Sequence, residues 1–348
     1  MSEIDIRVTG RAGRITLNRP AALNALTYDM CLAIDAALDE WRDDDAVALV
    51  VIDATGDKAF CAGGDLSRMY RTGTAGDYGF GRKFWRDEYR LNAKIAAFPK
   101  PYIAFMQGFT MGGGVGISCH GSHRVVGSTS RIAMPECGVG LIPDVGGSHL
   151  LAHAPGNLGE YLGTTGHRMD AGDAIYAGFA DLYVPEDAWN GVTADLERTG
   201  TTAVLDQVAK AVPDSKIRAH QAAIDQIFSA ATVATSRELL SHLGGDWASD
   251  ALKKLQFQSP LSVECTFRTI RTARAGGTLD AALAAEYRFT HRCMEHGDFL
   301  EGIRAAIIDK DRNPNWRHSD FGNVSSEEIA AMTAPLGDDE LDLKGAGI

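Results

Sequence analysis

Glu136 and Asp144 stand in the stretch MPECGVGLIPDVGGSH, set among Val139, Leu141, Ile142 and Val145. A carboxylate buried without a partner is costly, so two acids in such apolar company are either hydrogen-bonded scaffolding or chemistry. Each follows a proline, and the plainest expectation is that each caps a helix. The mostly apolar chain between them can also fold back and bring both to one pocket. There, two carboxyl groups could serve as nucleophile, base or acid.

Glycines supply the second set of candidates. The runs CAGGD, at Ala62–Gly64, and TMGGGVG, at Gly112–Gly116, read as turns. Neither is a phosphate loop, because no Lys-Ser/Thr pair follows at the required spacing and no GxGxxG is present. A glycine turn is commonly a packing device. It also exposes backbone N–H groups that can hold an oxyanion, and two separate turns could aim two N–H groups at one oxygen.

Three further polar residues invite a role. Asp65, after CAGG, suits the N-cap of a helix starting at Leu66. His120, in SCHG, has the chemistry of a general base but the setting of a satisfied core histidine. Glu88, in WRDEYR, reads by composition as part of an exposed charged face.

The elements that must position these groups follow an α/β pattern. IDIRV and RITL form a hairpin. Thr27 caps a helix with Met30, Ile34, Leu38 and Trp41 on one face. AVALVVI, residues 46–52, is apolar throughout, as in a strand covered on both faces. DATGDKAFCAGGDL is expected to be a loop, and FGRKFWRDEYRLNAKIAAF a helix. KPYIAFMQG is a strand, and FTMGGGVGISCHG a glycine turn entering a small-residue helix. HRVVG and SRIAMPE are short strands. The spacing hints at a repeat, without self-similar sequence. From about residue 185 the chain turns helical, with the weakest pattern over 190–255, and the polar ending SSEEIAAMTAPLGDDELDLKGAGI is expected to be extended. The division is a site-bearing core over 1–190 and a helical region over 191–348.

Composition sets the bounds. The 348 residues, 45% hydrophobic and 23% charged with a net charge of −12, suit a globular chain with a sizeable core and no basic footprint for nucleic acid. An anionic ligand remains compatible through local cations or N–H groups. Six cysteines, Cys31, Cys61, Cys119, Cys137, Cys265 and Cys293, lack CxxC or metal-ligand spacing and read as buried thiols in a reducing compartment. The opening MSEIDIRVTGRAG has no signal-peptide core, and no run reaches membrane-spanning length, so a cytoplasmic location is expected, with no membrane or nucleic-acid partner.

In order and spacing, LNRPAALNALT, KAFCAGGDL, GFTMGGGVGIS and MPECGVGLIPDVGGSHLL resemble the enoyl-CoA hydratase/isomerase (crotonase) superfamily. Asp144 in PDVGG and the late stretch FLEGIRAAIIDKDRNPNW resemble its 3-hydroxyisobutyryl-CoA hydrolase branch. The resemblance covers nearly the whole chain. It implies a spiral of ββα units followed by helices, a coenzyme A thioester as substrate, no separate cofactor and no metal. It leaves homo-oligomer formation open. It places the oxyanion-hole amides on Gly64 and Gly113, the backbone that meets adenine around Ala62, and a carboxylate for the acyl hydroxyl on Glu88. Hydratases of the family carry a second glutamate where this chain has Gly116, and a glycine where it has Asp144. The Glu136/Asp144 pairing therefore implies thioester hydrolysis in valine breakdown, on 3-hydroxyisobutyryl-CoA and on 3-hydroxypropionyl-CoA as a further substrate. Glu136 would attack the thioester carbon or act as base on water, and Asp144 would orient or activate that water. The alternatives are a hydratase or isomerase working with Glu136 alone, and a non-catalytic CoA-binding protein.

Overall fold

The computed structural model describes residues 2–343. Strands β1 (Ile4–Thr9) and β2 (Ala12–Leu17) form the expected antiparallel hairpin. The next six strands come in pairs: β3 (Leu49–Ala54) with β4 (Ala59–Cys61), β5 (Tyr102–Met106) with β6 (Phe109–Met111), and β7 (His123–Val126) with β8 (Arg131–Ala133). The first strand of each pair joins a six-stranded sheet of order β1-β2-β3-β5-β7-β9, where β9 is Leu182–Tyr183, and the second joins a three-stranded sheet of order β4-β6-β8. Every ladder after the hairpin is parallel. Each turn of chain lays one strand on each sheet beside the strand of the turn before. This is the crotonase-like spiral. The repeat lies in backbone pairing, which many apolar sequences satisfy, so it leaves no self-similar sequence.

Apolar character decides which strands lie deepest. In β3, Val50 and Ile52 face the main core while Leu49 and Val51 face a second, smaller one. In β5, Ala104 and Met106 take the first side, and Ile103 and Phe105 the second. Both strands are covered on both faces, which accounts for their lack of polar alternation.

The helices of the first half are α1 (Tyr28–Arg42), α2 (Leu66–Thr74), α3 (Gly79–Ala96), α4 (Gly113–Gly116), α5 (Gly147–His153), α6 (Leu158–Thr165) and α7 (Ala171–Tyr176). Those that follow are α8 (Trp189–Thr199), α9 (Ala203–Val208), α10 (Gln221–Phe228), α11 (Val233–Leu243), α12 (Gly245–Phe257), α13 (Pro260–Arg274), α14 (Leu279–His296), α15 (Phe299–Ile303) and α16 (Ser326–Thr333). The main core runs from Ile15 of β2 to Leu341, so both halves share it.

Three expectations change. The loop DATGDKAFCAGGDL contains β4, whose Ala59, Phe60 and Cys61 are all buried. The small-residue helix after the glycine turn, α4, is one turn long. The polar ending contains α16, opened by a capping box in which Ser325 and Glu328 bond each other's backbone N–H. Residues 344–348 of that ending lie outside the described residues.

Candidate active site

The three-stranded sheet builds most of the site. In a parallel sheet the carboxyl ends of the strands lie at one edge, the usual place for ligands. After β4 the chain runs through Ala62, Gly63 and Gly64, after β6 through Gly112 and Gly113, and after β8 through Pro135 to Glu136. Two turns require glycine, because Gly63 has φ +110° and Gly112 has φ +48°. One ladder thus delivers Gly64, Gly113 and Glu136 to one place.

The two amides are free. Gly64 pairs with Leu26 as a parallel bridge in which Leu26 N–H donates to Gly63 O and Asp65 N–H donates to Leu26 O. This pattern turns the Gly64 N–H away from Leu26. Gly113 opens α4, where an N–H has no helical acceptor. Neither has a hydrogen-bond acceptor among the described residues. The two glycines are adjacent: a β-carbon on Gly113 would lie 3.5 Å from Gly64 N.

The acids converge on the same space. Ala62, Gly64, Glu88, Gly113, Glu136 and Asp144 all line one cavity of about 670 Å³. Neither Glu136 nor Asp144 caps a helix through its side chain. Glu136 starts a short 3-10 turn, Glu136–Val139, and its Oε2 is buried without a partner among the described residues. Asp144 Oδ2 accepts a 2.7 Å hydrogen bond from the Tyr89 hydroxyl on α3. Glu88, the residue before Tyr89, is buried rather than exposed, and its Oε1 is likewise unpartnered. A β-carbon on Gly113 would reach within 2.8 Å of that oxygen.

Burial dominates the electrostatics. It pushes the Asp144 carboxyl up to about 7, against the opposing Tyr89 hydrogen bond. It raises Glu136 and Glu88 well above the usual carboxylate range, and the negative charge of Asp144 adds to both. Three acids facing one cavity titrate as a set.

The remaining candidates fall outside the chemistry. Asp65 caps α2, accepting from Ser67 N–H. His120 is half-buried, and the loss of solvent around it lowers its imidazole to about 4. Its Nε2 donates to Val145 O at 2.7 Å. Position 116 is closed. A β-carbon on Gly116 would lie 2.7 Å from Asn92 Nδ2 and 2.8 Å from Val145 Cβ, so no side chain there can reach the cavity without displacing them.

Residues 12–333 match the model of the enoyl-CoA hydratase/isomerase family. The chain belongs to that family. It is 39% identical to a 3-hydroxyisobutyryl-CoA hydrolase, mitochondrial, of Danio rerio, over 99% of this chain and 92% of that one. It is 37% identical to the human protein of the same name, over 97% and 90%. Among solved structures, one described as an enoyl-CoA hydratase from Rhodobacter sphaeroides superposes with a TM-score of 0.94 at 52% identity, covering 98% of this chain and all (100%) of that one. One described as a carnitinyl-CoA dehydratase from Mycobacterium thermoresistibile gives 0.95 at 38%, covering 99% and 100%.

Sequence reasoning missed several contributors to this family member's site. Tyr89 was hidden in a helix read as a charged face. The signal was present in Phe84, Trp85, Glu88, Tyr89 and Asn92, which recur at helical spacing on the buried side. The helical half closes the rim with Phe257, Gln258 and the segment that includes Ala305, Arg312 and Pro314. The stretch FLEGIRAAII belongs here. Gly302 of α15 packs against the Val139 backbone, where a β-carbon would come within 2.2 Å of Val139 O, so this segment buttresses the Glu136 turn. Among the described residues no cluster of three or more His, Cys, Asp or Glu is arranged to hold a metal, and no helix is long and apolar enough to cross a membrane.

Proposed function

We propose that the protein hydrolyses the thioester of 3-hydroxyisobutyryl-CoA to the free hydroxy acid and CoA, in valine breakdown. The observation that carries this reading is the acid set. Glu136 and Asp144 face one cavity beside two free amides, while Asn92 and Val145 fill the space beside Gly116. A hydratase with two glutamates needs that space. The names of the curated relatives agree with hydrolysis. The hydratase and dehydratase descriptions of the two solved structures make the reaction the point to test.

The N–H groups of Gly64 and Gly113 receive the thioester oxygen and stabilise the charge it gains when the carbonyl carbon becomes tetrahedral. Glu136 Oε2 drives attack on that carbon by one of two routes. As a nucleophile it forms a C–O bond, the C–S bond breaks with its electron pair leaving on sulfur, and the thiolate takes a proton from Asp144. Water then opens the mixed anhydride, returning its proton to Asp144. As a base, Glu136 takes the proton of a water whose oxygen forms the new C–O bond. The C–S bond then breaks with its electron pair leaving on sulfur, the thiolate takes a proton from Asp144, and the proton held by Glu136 is released to restore the pair. Mass spectrometry of the protein after a hydroxylamine quench separates the routes, since only an anhydride at Glu136 can leave a hydroxamate on that side chain. Glu88 Oε1 accepts a hydrogen bond from the acyl 3-hydroxyl. All six cysteines are free and buried, the state of a reducing compartment.

The test is thiol release from 3-hydroxyisobutyryl-CoA without added metal and in the presence of EDTA. The reading expects full release under both conditions. Rapid hydration of crotonyl-CoA with no free CoA would overturn it.

A further inference from the structure

The turn that carries Asp144 is strained. Val145, a buried β-branched residue, has φ +55°, a left-handed conformation that such residues avoid. Strain of this kind persists only where the surroundings impose it. Some of the constraint is local: Gly147 N–H donates to Asp144 O at 2.7 Å. Some comes from His120, whose Nε2–H holds Val145 O. The strongest grip comes from far along the chain. Glu286, fully buried on α14, accepts from Gly146 N–H at 2.7 Å through Oε2 and from Ser148 N–H at 2.9 Å through Oε1, and it also bonds the Ser148 hydroxyl.

A carboxyl with no exposure carries a large desolvation cost. Burial pushes Glu286 up to about 8, against the pull of the Ser148 and Gly146 donors. A simple core position would be filled more cheaply by an apolar residue. Glu286 lies between Leu283 and Phe289 on the buried face of α14, where apolar residues are the rule. Its two oxygens each meet one N–H of the turn, on either side of Gly147. That two-point grip fixes the direction of the peptide planes that follow Asp144.

We propose that Glu286 is a positioning residue of the hydrolytic site, acting through Asp144: it holds the strained Val145–Ser148 turn so that the Asp144 carboxyl meets Tyr89 and faces Glu136 across the cavity. The inference rests on the role given to Asp144 above. A glutamine cannot replace it. In either protonation state of Glu286 both oxygens receive a backbone N–H, and an amide must turn its NH₂ against one of them.

The experiment is a cycle of four proteins, wild type, Glu286→Gln, Asp144→Asn and the double variant, assayed by thiol release from 3-hydroxyisobutyryl-CoA. Glu286→Gln is expected to lower kcat by about thirtyfold or more with KM within about threefold, the split of a group needed only in the transition state. Once Asp144 is an asparagine, adding Glu286→Gln should cost less than about threefold further, because a residue that works through Asp144 has nothing left to position. Ser148→Ala, which removes only the hydroxyl bond, should give the same coupling at smaller amplitude, and it decides the case should Glu286→Gln not fold. Losses that multiply across the cycle would overturn the proposal, as would full activity of Glu286→Gln. Full activity of Asp144→Asn would instead overturn the role of Asp144, so the two failures are distinct.

Discussion

Three strand ends of the spiral half carry Gly64, Gly113 and Glu136 to one edge of one sheet, whereas the helical half closes the rim of the cavity and places Glu286 behind the Asp144 turn. The difference lies in what sets each position. In the spiral half a parallel ladder fixes the backbone, and the glycines and the acid stand where register puts them. In the helical half side chains grip a turn more than a hundred residues away in sequence. Backbone register survives most substitutions, while a grip by one carboxyl fails when that carboxyl is changed.

The largest effect should come from the spiral half. Glu136→Gln removes the carboxylate proposed as nucleophile or base and should lower kcat by about 10⁴-fold with little change in KM, measured by thiol release. Combined with Asp144→Asn it should fall little further. If the two losses multiply, the acids act independently. Gly113→Ala comes next. Its β-carbon would press on Glu88 Oε1 and crowd the oxyanion site, so turnover should fall by about a hundredfold or more while free CoA, which has no acyl carbonyl, still binds. A parallel loss of CoA binding and thermal stability would make Gly113 a packing residue.

Glu88→Ala should cost less and do so selectively. Leaving the buried 3-hydroxyl without its acceptor costs roughly 1 to 3 kcal/mol, or about five- to a hundredfold in kcat/KM. That loss is expected on 3-hydroxyisobutyryl-CoA and not on isobutyryl-CoA, which lacks the hydroxyl. Equal losses would leave the acyl preference without a residue to carry it.

The last effect concerns stability and leaves turnover aside. The folded-state carboxyl of Asp144 is raised to about 7, so its contribution to stability is fully present below the unfolded carboxylate value and is lost as pH rises through about 7. At pH 8 the buried, ionised Asp144 costs the fold on the order of a few kcal/mol. Asp144→Asn has no such cost. Its Tm should exceed that of the wild type at pH 8, and the gap should close as pH falls toward 4. A gap independent of pH would mean that Asp144 is not forced to ionise in an unfavourable site.

The same comparison explains what could be read from sequence. The apolar run of β3, the glycines of Ala62–Gly64 and Gly112–Gly116, and the two acids of MPECGVGLIPD are local signals, and the resemblance ordered them into a site. Glu88 shows the limit of composition, since WRDEYR reads as a charged face until the apolar periodicity of α3 is counted on its other side. β4 was lost because three residues are too few for a strand signal in a stretch with three glycines and three aspartates. The capping box at Ser325 was legible and was outweighed by the polar composition around it. Glu286 was out of reach. Nothing in LDAALAAEYRF says which turn its carboxyl will hold, because that contact exists only once α14 has packed on α5.

The central claim is that this cavity breaks the C–S bond and does not add or remove water across a double bond. NMR of the products formed from 3-hydroxyisobutyryl-CoA tests it directly, since a single substrate offers both reactions. Hydrolysis gives 3-hydroxyisobutyrate and free CoA, with no unsaturated thioester at any time, and this is the expected result. Accumulation of methacrylyl-CoA, with the thiol still bound as its ester, would contradict the account.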